Sequence, residues 1–280
     1  MSAALALFAS LLWGGSDFLG GSISRRLRPV QVLAVSQLLS ALVLLLVLAG
    51  TGRVDLVAAH TWLGWSVVAG ATWAGAMAAL YTALARGTMG VVAPIASCGM
   101  LVPVLVAVAG GERPSPLQLV GVVLAVVGVV ASAGPDLRPS AGRQGAAIAL
   151  ALVAALLFGI EIHSLAQGSA HSVAGSLLGM RLTSLVLVAV VALGQRRASP
   201  AVRRTDVPVL LSLGVLDLAA TATYALASTG GLVSVVAVLA SLYPAVTLLL
   251  ARRFHGERLG RVQTAGVGIV LLSAVLCAVG

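Results

Sequence analysis

Long runs of apolar residues alternate with short polar connections along the whole chain. Runs such as "ALVLLLVLAG" and "GVVLAVVGVVASAG" are apolar on every side of a helix, whereas membrane barrel strands alternate apolar and polar positions. A helix that spans a bilayer needs about 20 mostly apolar residues. The pattern therefore predicts an all-α integral membrane protein with ten transmembrane helices, segments one to ten, at residues 2–22, 30–50, 62–84, 88–109, 117–134, 145–166, 173–194, 208–227, 232–251 and 262–279.

Composition supports a membrane protein and excludes an ordinary soluble domain. The 280 residues are 60% hydrophobic and only 9% charged, with a mean hydropathy of +1.10, whereas soluble domains have about 25% charged residues.

The first segment lacks a basic leader, so we expect it to remain as a helix. The two cysteines, Cys98 and Cys277, both fall inside predicted helices, which indicates packing thiols and neither a disulfide framework nor a metal site. We expect no cofactor.

The 17 basic residues are all arginines, and 14 of them lie in the connections that follow odd-numbered segments. Only Arg53 and Arg113 lie in the other connections, and Arg181 lies inside segment seven. An excess of arginine is also found in nucleic-acid-binding proteins, but short loops between apolar helices favour a role in membrane orientation. The positive-inside rule therefore predicts that the arginine-rich connections are cytoplasmic and that both termini lie outside.

The two halves of the chain match each other at a shift of about 144 residues. "VVAPIAS" aligns with "VVAVLAS", "GERPSPLQLVG" with "GERLGRVQTAG", and "LLWGG" with "LLFGI". Residues 1–144 and 145–280 each contain five predicted helices. Because five is odd, the second half must enter the membrane in the opposite sense, which makes the halves two inverted five-helix repeats. Such an architecture places a substrate site near the midplane and alternates its access.

With these motifs the chain resembles the EamA-type branch of the drug/metabolite transporter superfamily (DMT superfamily). The resemblance rests on "LLWGGSDF" in segment one, the small-residue motifs of segments four and nine, and the two "GER" turns. It implies secondary transport of small metabolites or drugs, commonly efflux. Arg181 matches an arginine that the family often has early in the second helix of each repeat, whereas the first repeat has Ser36 there. Many relatives are described with cytoplasmic termini, contrary to the arginine count.

Four acids or bases inside apolar segments are functional candidates by default, namely Asp17, Glu161, Arg181 and Asp217. Asp17 shares a small, polar helix face with Trp13, which favours an interior position. Its alternative role is to cap the helix or to pair with Arg25 or Arg26. Glu161 lies next to the position in the second repeat that corresponds to Asp17. Arg181 needs an anionic partner, either Glu161 or an anionic group of the substrate.

Two side-chain stripes predict the walls of a cavity. Asp217, Thr221 and Tyr224 recur at i, i+4 and i+7 on segment eight, and their counterparts on segment three are Trp73, Met77 and Tyr81. We expect one hydrogen-bonding wall and one aromatic wall, with segments one, four, six and nine closing the space. In the alternative interpretation these stripes only pack helix against helix. The glycines around Asp17 likewise allow either close packing or helix bending.

These features predict a secondary active transporter that moves a small molecule by alternating access, with export coupled to protons or to exchange. Carboxylates at low dielectric readily take up protons, and no segment for ATP binding is present. The alternatives are an intramembrane enzyme and a structural or sensory role. Asp17 and Asp217 lack the glycine-x-glycine-aspartate context of aspartyl membrane proteases, and no G-x-S-x-G motif occurs, so we expect no enzyme. We expect a multi-pass protein in the plasma (inner) membrane of a bacterium, surrounded by lipid bilayer, without nucleic acid, as a monomer or homodimer.

Overall fold

The structure is a computed structural model that describes residues 1–51, 59–87, 89–133, 143–194, 200–255 and 260–279. These residues form helices and turns, and no strand is found among them, which confirms the all-helical prediction. The helices are α1 (Ser2–Ile23), α2 (Pro29–Thr51), α3 (Ala59–Arg86), α4 (Met89–Ser97), α5 (Leu101–Ala109), α6 (Pro116–Ala133), α7 (Arg143–Ser169), α8 (Val173–Gly194), α9 (Val207–Ser228), α10 (Val233–Ala240), α11 (Tyr243–His255) and α12 (Arg261–Val279).

Seven stretches in the described ranges have the length and hydropathy of a membrane span. They are Ser2–Ile23, Pro29–Gly50, Ala59–Arg86, Gly145–Ser169, Val173–Gly194, Arg204–Ser228 and Val233–Phe254, and Ile95–Ala109 and Pro116–Gly128 are shorter apolar helices. Multiple spans agree with the hydropathy pattern. The number of ten spans stays a prediction.

Segments four and nine differ from the prediction, because each is broken near its middle. In segment four, a 3-10 turn at Cys98–Met100 separates α4 from α5, and in segment nine a turn at residues 241–242 separates α10 from α11. Pro103 and Pro244 lie in the first turns of α5 and α11. Proline lacks the N–H that an uninterrupted helix would bond to the carbonyl four residues earlier, so each helix restarts just before its proline. The breaks occupy corresponding segments of the two repeats.

Helix packing follows the duplication of the sequence. Helix α1 packs along α9, and their equivalents in the other repeat, α7 and α3, pack along each other in the same way. The equivalent helices α2 and α8 form one further contact pair, and α6 and α12 form another. The repeats are therefore interleaved, and the centre of the molecule lies between helices of both halves.

Contacts at the helix ends agree with repeats that run in opposite senses. Ser2, at the start of α1, contacts Gly231 in the connection after α9, whereas Ala147, at the corresponding place in α7, contacts Gly87 after α3. These connections lie at opposite ends of the bundle, because α1, α2 and α3 cross it in turn. The second repeat therefore begins at the end where the first helix finishes.

Polar contacts join the repeats at both ends of the bundle. At the arginine-rich end, Arg26 forms an ion pair with Asp206, just before α9. At the other end, the Glu112 carboxylate accepts hydrogen bonds from the backbone N–H groups of Val233 and Ser234, at 2.9 and 3.1 Å, and from the Ser234 hydroxyl at 2.6 Å. Glu112 thereby satisfies N–H groups that the start of α10 leaves without helical partners.

Candidate functional site

A cavity lies between the two repeats. It is bounded by α1, α3, α7 and α9 and by the broken regions of segments four and nine. The lining residues are Trp13, Asp17, Trp73, Met77, Ala96, Ser97, Gly99, Met100, Phe158, Glu161, Ile162, Asp217, Ser241 and Tyr243. These are the same six segments that the sequence predicts around the cavity.

Three carboxylates reach this cavity, and each is nearly enclosed by protein. Asp17, Glu161 and Asp217 expose 5%, 2% and 2% of their surface. Of these three carboxylates, Asp217 alone has an ion pair or a side-chain hydrogen bond within the described part of the chain. Glu161 Oε1 is buried without any hydrogen-bond partner there. Unpartnered buried carboxylates are costly in an apolar environment, so the pair formed by Asp17 and Glu161 needs a functional explanation.

Arg181 is held in a dense hydrogen-bonded network behind the cavity. Its Nη1 donates to Asp217 Oδ2 at 2.6 Å and to Gln37 Oε1 at 3.1 Å, and its Nη2 donates to Thr221 Oγ1 at 3.0 Å. Ser184 Oγ donates to the same Gln37 oxygen at 3.3 Å. The network joins α2, α8 and α9, and it provides the anionic partner that a buried guanidinium requires.

Two ion pairs, Arg181 with Asp217 and Arg26 with Asp206, differ from the pairings within the protein that the sequence suggested. Arg181 pairs with Asp217 and not with Glu161, because Asp217 approaches it from α9. Asp17 does not pair with Arg26, whose partner is Asp206. Arg181 is only 1% exposed and does not line the cavity, although its Cζ lies 5.4 Å from the centre of the Trp73 ring.

The structure brings six of the ten sequence-predicted site residues to the cavity wall, namely Trp13, Asp17, Trp73, Met77, Glu161 and Asp217. The other four lie behind the wall. Thr221 belongs to the Arg181 network, and the Tyr224 ring lies 5.8 Å from Trp13 while its hydroxyl donates to the Ile162 carbonyl at 3.3 Å. Tyr81 is fully buried, with its hydroxyl against Gly20.

The residues that sequence reasoning missed lie mainly at the helix breaks. Ser97, Gly99 and Met100 come from the break in segment four, and Ser241 and Tyr243 come from the break in segment nine. Ser241 Oγ lies 2.7 Å from Met100 Sδ and 2.8 Å from the Val238 carbonyl, so it bridges the two breaks. The prolines and the duplicated small-residue motifs were the available signals for these breaks.

Two glycines of "LLWGGSDFLGG" explain how Asp17 reaches the cavity. A Cβ at Gly14 would lie 2.8 Å from the Tyr243 carbonyl and would overlap Val246, and a Cβ at Gly20 would overlap the Tyr81 hydroxyl. Glycine at these positions therefore lets α1 approach α11 and α3 closely. Asp17 lies between the two glycines on α1, so this close packing brings its carboxylate to the wall.

Comparison with known proteins agrees with this architecture. The model of the EamA-like transporter family matches residues 1–133 and 145–279, that is, both repeats. The chain belongs to the EamA-like transporter family. One solved structure, described only as "Crystal structure of protein", is 18% identical, covers 99% of this chain and 97% of its own, and has a TM-score of 0.78. No curated protein matches the chain.

Membership of the EamA family confirms the resemblance drawn from the motifs. It identifies the protein as a multi-pass membrane transporter of the drug/metabolite type, for which a small-molecule substrate and a lipid bilayer are implied. Family membership also favours transport over the intramembrane enzyme. The solved structure, at its low identity, supports the fold alone.

Proposed function

We propose that this protein is a secondary active transporter that exports a small metabolite or drug by alternating access, driven by protons or by exchange. The single observation that carries the proposal is the pair of enclosed, unpartnered carboxylates, Asp17 and Glu161, in a cavity between the repeats. A structural role would favour partners for both groups, as the Arg181 network provides for Asp217.

The position of the cavity supports this mechanism. In transporters built from inverted repeats, substrate sites lie near the midplane, where broken helices leave backbone groups available to a ligand. Here both breaks contribute to the wall, and Ser241 connects them. Rocking one repeat against the other would separate the breaks at one end and open the cavity to that side.

The two unpartnered carboxylates are the coupling groups of the proposal. An unpaired charge away from water costs free energy, so each carboxylate needs a proton, a cation or contact with water in every state. Exchange between these forms couples the opening of the cavity to a proton gradient. Titratable groups near them in the described part of the chain include Asp217 and Arg181, which form an ion pair, the Cys98 thiol, and the buried hydroxyls of Tyr81, Tyr224 and Tyr243.

The test uses purified protein in liposomes that enclose a pH-sensitive dye. We expect substrate-dependent proton flux across a panel of amino acids, nucleosides, sugars and cationic drugs. Glu161→Gln and Asp17→Asn should abolish gradient-driven accumulation and leave counterflow exchange measurable, because the cavity remains while the proton site is lost. Asp206→Asn, which changes a carboxylate outside the cavity, is the matched control. Normal accumulation by both amide variants would show that these groups do not couple transport.

The orientation of the protein completes the proposal. The excess of arginine in connections after odd-numbered segments supports a cytoplasmic position for that end, with both termini outside, and the proposed location is the membrane of a bacterial cell. A reporter that is active only in the cytoplasm, fused after Gly280, should therefore give no signal. A strong signal would reverse the orientation and make the arginine-poor end, where Glu112 lies, cytoplasmic.

A further inference from the structure

The charges around the cavity are unbalanced. Its lining contains three carboxylates and, among the lining residues that the structure describes, no arginine or histidine. The nearby Arg181 balances one of the three, Asp217, with its Nη1 2.6 Å from Oδ2. Asp17 and Glu161 remain without a positive partner among the described residues. A ligand that enters the cavity therefore meets two carboxylates for which the described part of the chain supplies no counterion.

Aromatic side chains surround the same space. Trp13 and Trp73 contribute rings from α1 and α3, Phe158 from α7, and Tyr243 from the start of α11. The faces of aromatic rings attract cations, and cages of such rings recognise ammonium groups. The apolar rings also suit a flat hydrocarbon body. Carboxylates and aromatic faces together therefore favour a ligand with a positive charge and an apolar part.

The site offers little to an anionic group. Arg181 lies behind the wall, where it is 1% exposed and its Nη atoms already donate to Asp217, Gln37 and Thr221. Its Nε has no hydrogen-bond partner within the described residues, but that atom is buried as well. A substrate carboxylate would have to compete with Asp217 for the guanidinium charge, and displacing Asp217 would leave it as a third uncompensated carboxylate, which is strongly unfavourable in a buried site.

We propose that the substrate of this cavity is an organic cation, an amine or quaternary ammonium joined to an apolar, aromatic-sized body. The ammonium lies between Asp17 and Glu161, and the body lies among the aromatic rings. This inference rests on the proposed transport function and narrows its substrate class. It replaces the sequence-based hypothesis that Arg181 attracts an anionic end of the substrate, because the charge of Arg181 is already paired with Asp217.

Three probes with one common body test the charge preference. Phenethylamine carries the ammonium alone, phenylalanine adds a carboxylate, and 3-phenylpropanoate keeps the carboxylate and lacks the ammonium. Binding of each probe to the purified full chain in lipid nanodiscs is measured by isothermal titration calorimetry. We expect phenethylamine to bind at least about tenfold more tightly than either carboxylate-bearing probe, as for one charge-assisted contact.

Variants assign the preference to the two carboxylates. Glu161→Gln and Asp17→Asn should each weaken phenethylamine binding by about tenfold or more, whereas Asp206→Asn should bind like the parent. Glu161→Asp keeps the charge and should retain most of the affinity. Thermal unfolding of each nanodisc sample establishes whether the variants are folded. If Asp17→Asn is not folded, the comparison of phenethylamine affinity between Glu161→Asp and Glu161→Gln decides the test.

Three outcomes would overturn the inference: tighter binding of phenylalanine or 3-phenylpropanoate, equal binding of all three probes, or no binding heat from any of them. The liposome assay separates this failure from failure of the transport function. Proton-coupled flux driven by a zwitterionic or anionic compound would leave the transporter intact and remove only the cation assignment. Absence of both substrate-dependent proton flux and counterflow exchange with the whole panel would remove the transport proposal itself.

Discussion

Two groups of buried polar residues lie side by side in this bundle and differ in how fully they are partnered. In the Arg181 network, Arg181 donates to three side chains on two other helices, and its charge is matched by Asp217. The carboxylates of Asp17 and Glu161 are as deeply buried, yet within the described residues they have no ion pair. A network with balanced charges fixes helices together, whereas unpaired buried charges reduce stability and are retained where function requires them.

The largest effect is expected from breaking the Arg181 network. Arg181→Met should lower the free energy of unfolding by about 3–5 kcal/mol, because Asp217 is left as an uncompensated buried charge. The double variant Arg181→Met, Asp217→Leu should recover most of the loss, since it removes both charges. Thermal or denaturant unfolding in detergent measures both. Equal stability of the single variant and the parent would contradict a structural role for the ion pair.

Chemical accessibility should separate the two groups as well. The test compares single cysteines at positions 77 and 221 in a Cys98→Ser, Cys277→Ser background. The cysteine at position 77 should react with a small aqueous thiol reagent at least about tenfold faster, because Met77 lines the cavity and Thr221 does not. Substrate should protect position 77. Similar rates at both positions would show that water reaches the Arg181 network, so that the distinction between wall and network does not hold.

A milder change within the network should have an intermediate effect. Thr221→Val removes the oxygen that accepts the bond from Arg181 Nη2 at 3.0 Å while keeping the shape of the side chain. Leaving a charged donor unsatisfied should cost about 1–3 kcal/mol of unfolding free energy. Thr223→Val on the same helix, where the hydroxyl bonds only to the Ala219 carbonyl, serves as the control. Equal losses in the two variants would contradict the assignment.

The smallest effect on stability is expected in the unsatisfied group. Glu161→Gln should change the free energy of unfolding by less than about 1 kcal/mol, or raise it, because Oε1 has no hydrogen bond to lose. Its effect should lie in coupling and in ligand binding. The unfolding midpoint of this variant is compared with that of Arg181→Met under the same conditions. A loss as large as that of Arg181→Met would show that Glu161 supports the fold.

The sequence alone determined the all-helical membrane fold, the internal duplication and the family. These features follow from local properties, because the length of an apolar run decides whether it can cross a bilayer and a repeat is visible in the order of residues. Charged residues in apolar runs are equally visible, so Asp17, Glu161, Arg181 and Asp217 were all found as candidates. Six of the ten predicted site residues lie on the cavity wall.

Tertiary structure alone decided which of these groups are paired. Glu161 and Asp217 are both acids in apolar helices, and sequence spacing does not show which one faces Arg181; the depth and rotation of α8 and α9 bring Asp217 to it. The contribution of Ser97 and Ser241 also depends on where the helices break and on how the breaks meet across the repeats. Pairing and cavity shape depend on residues far apart in the chain, and their physical basis is the packing of helices that local sequence does not specify.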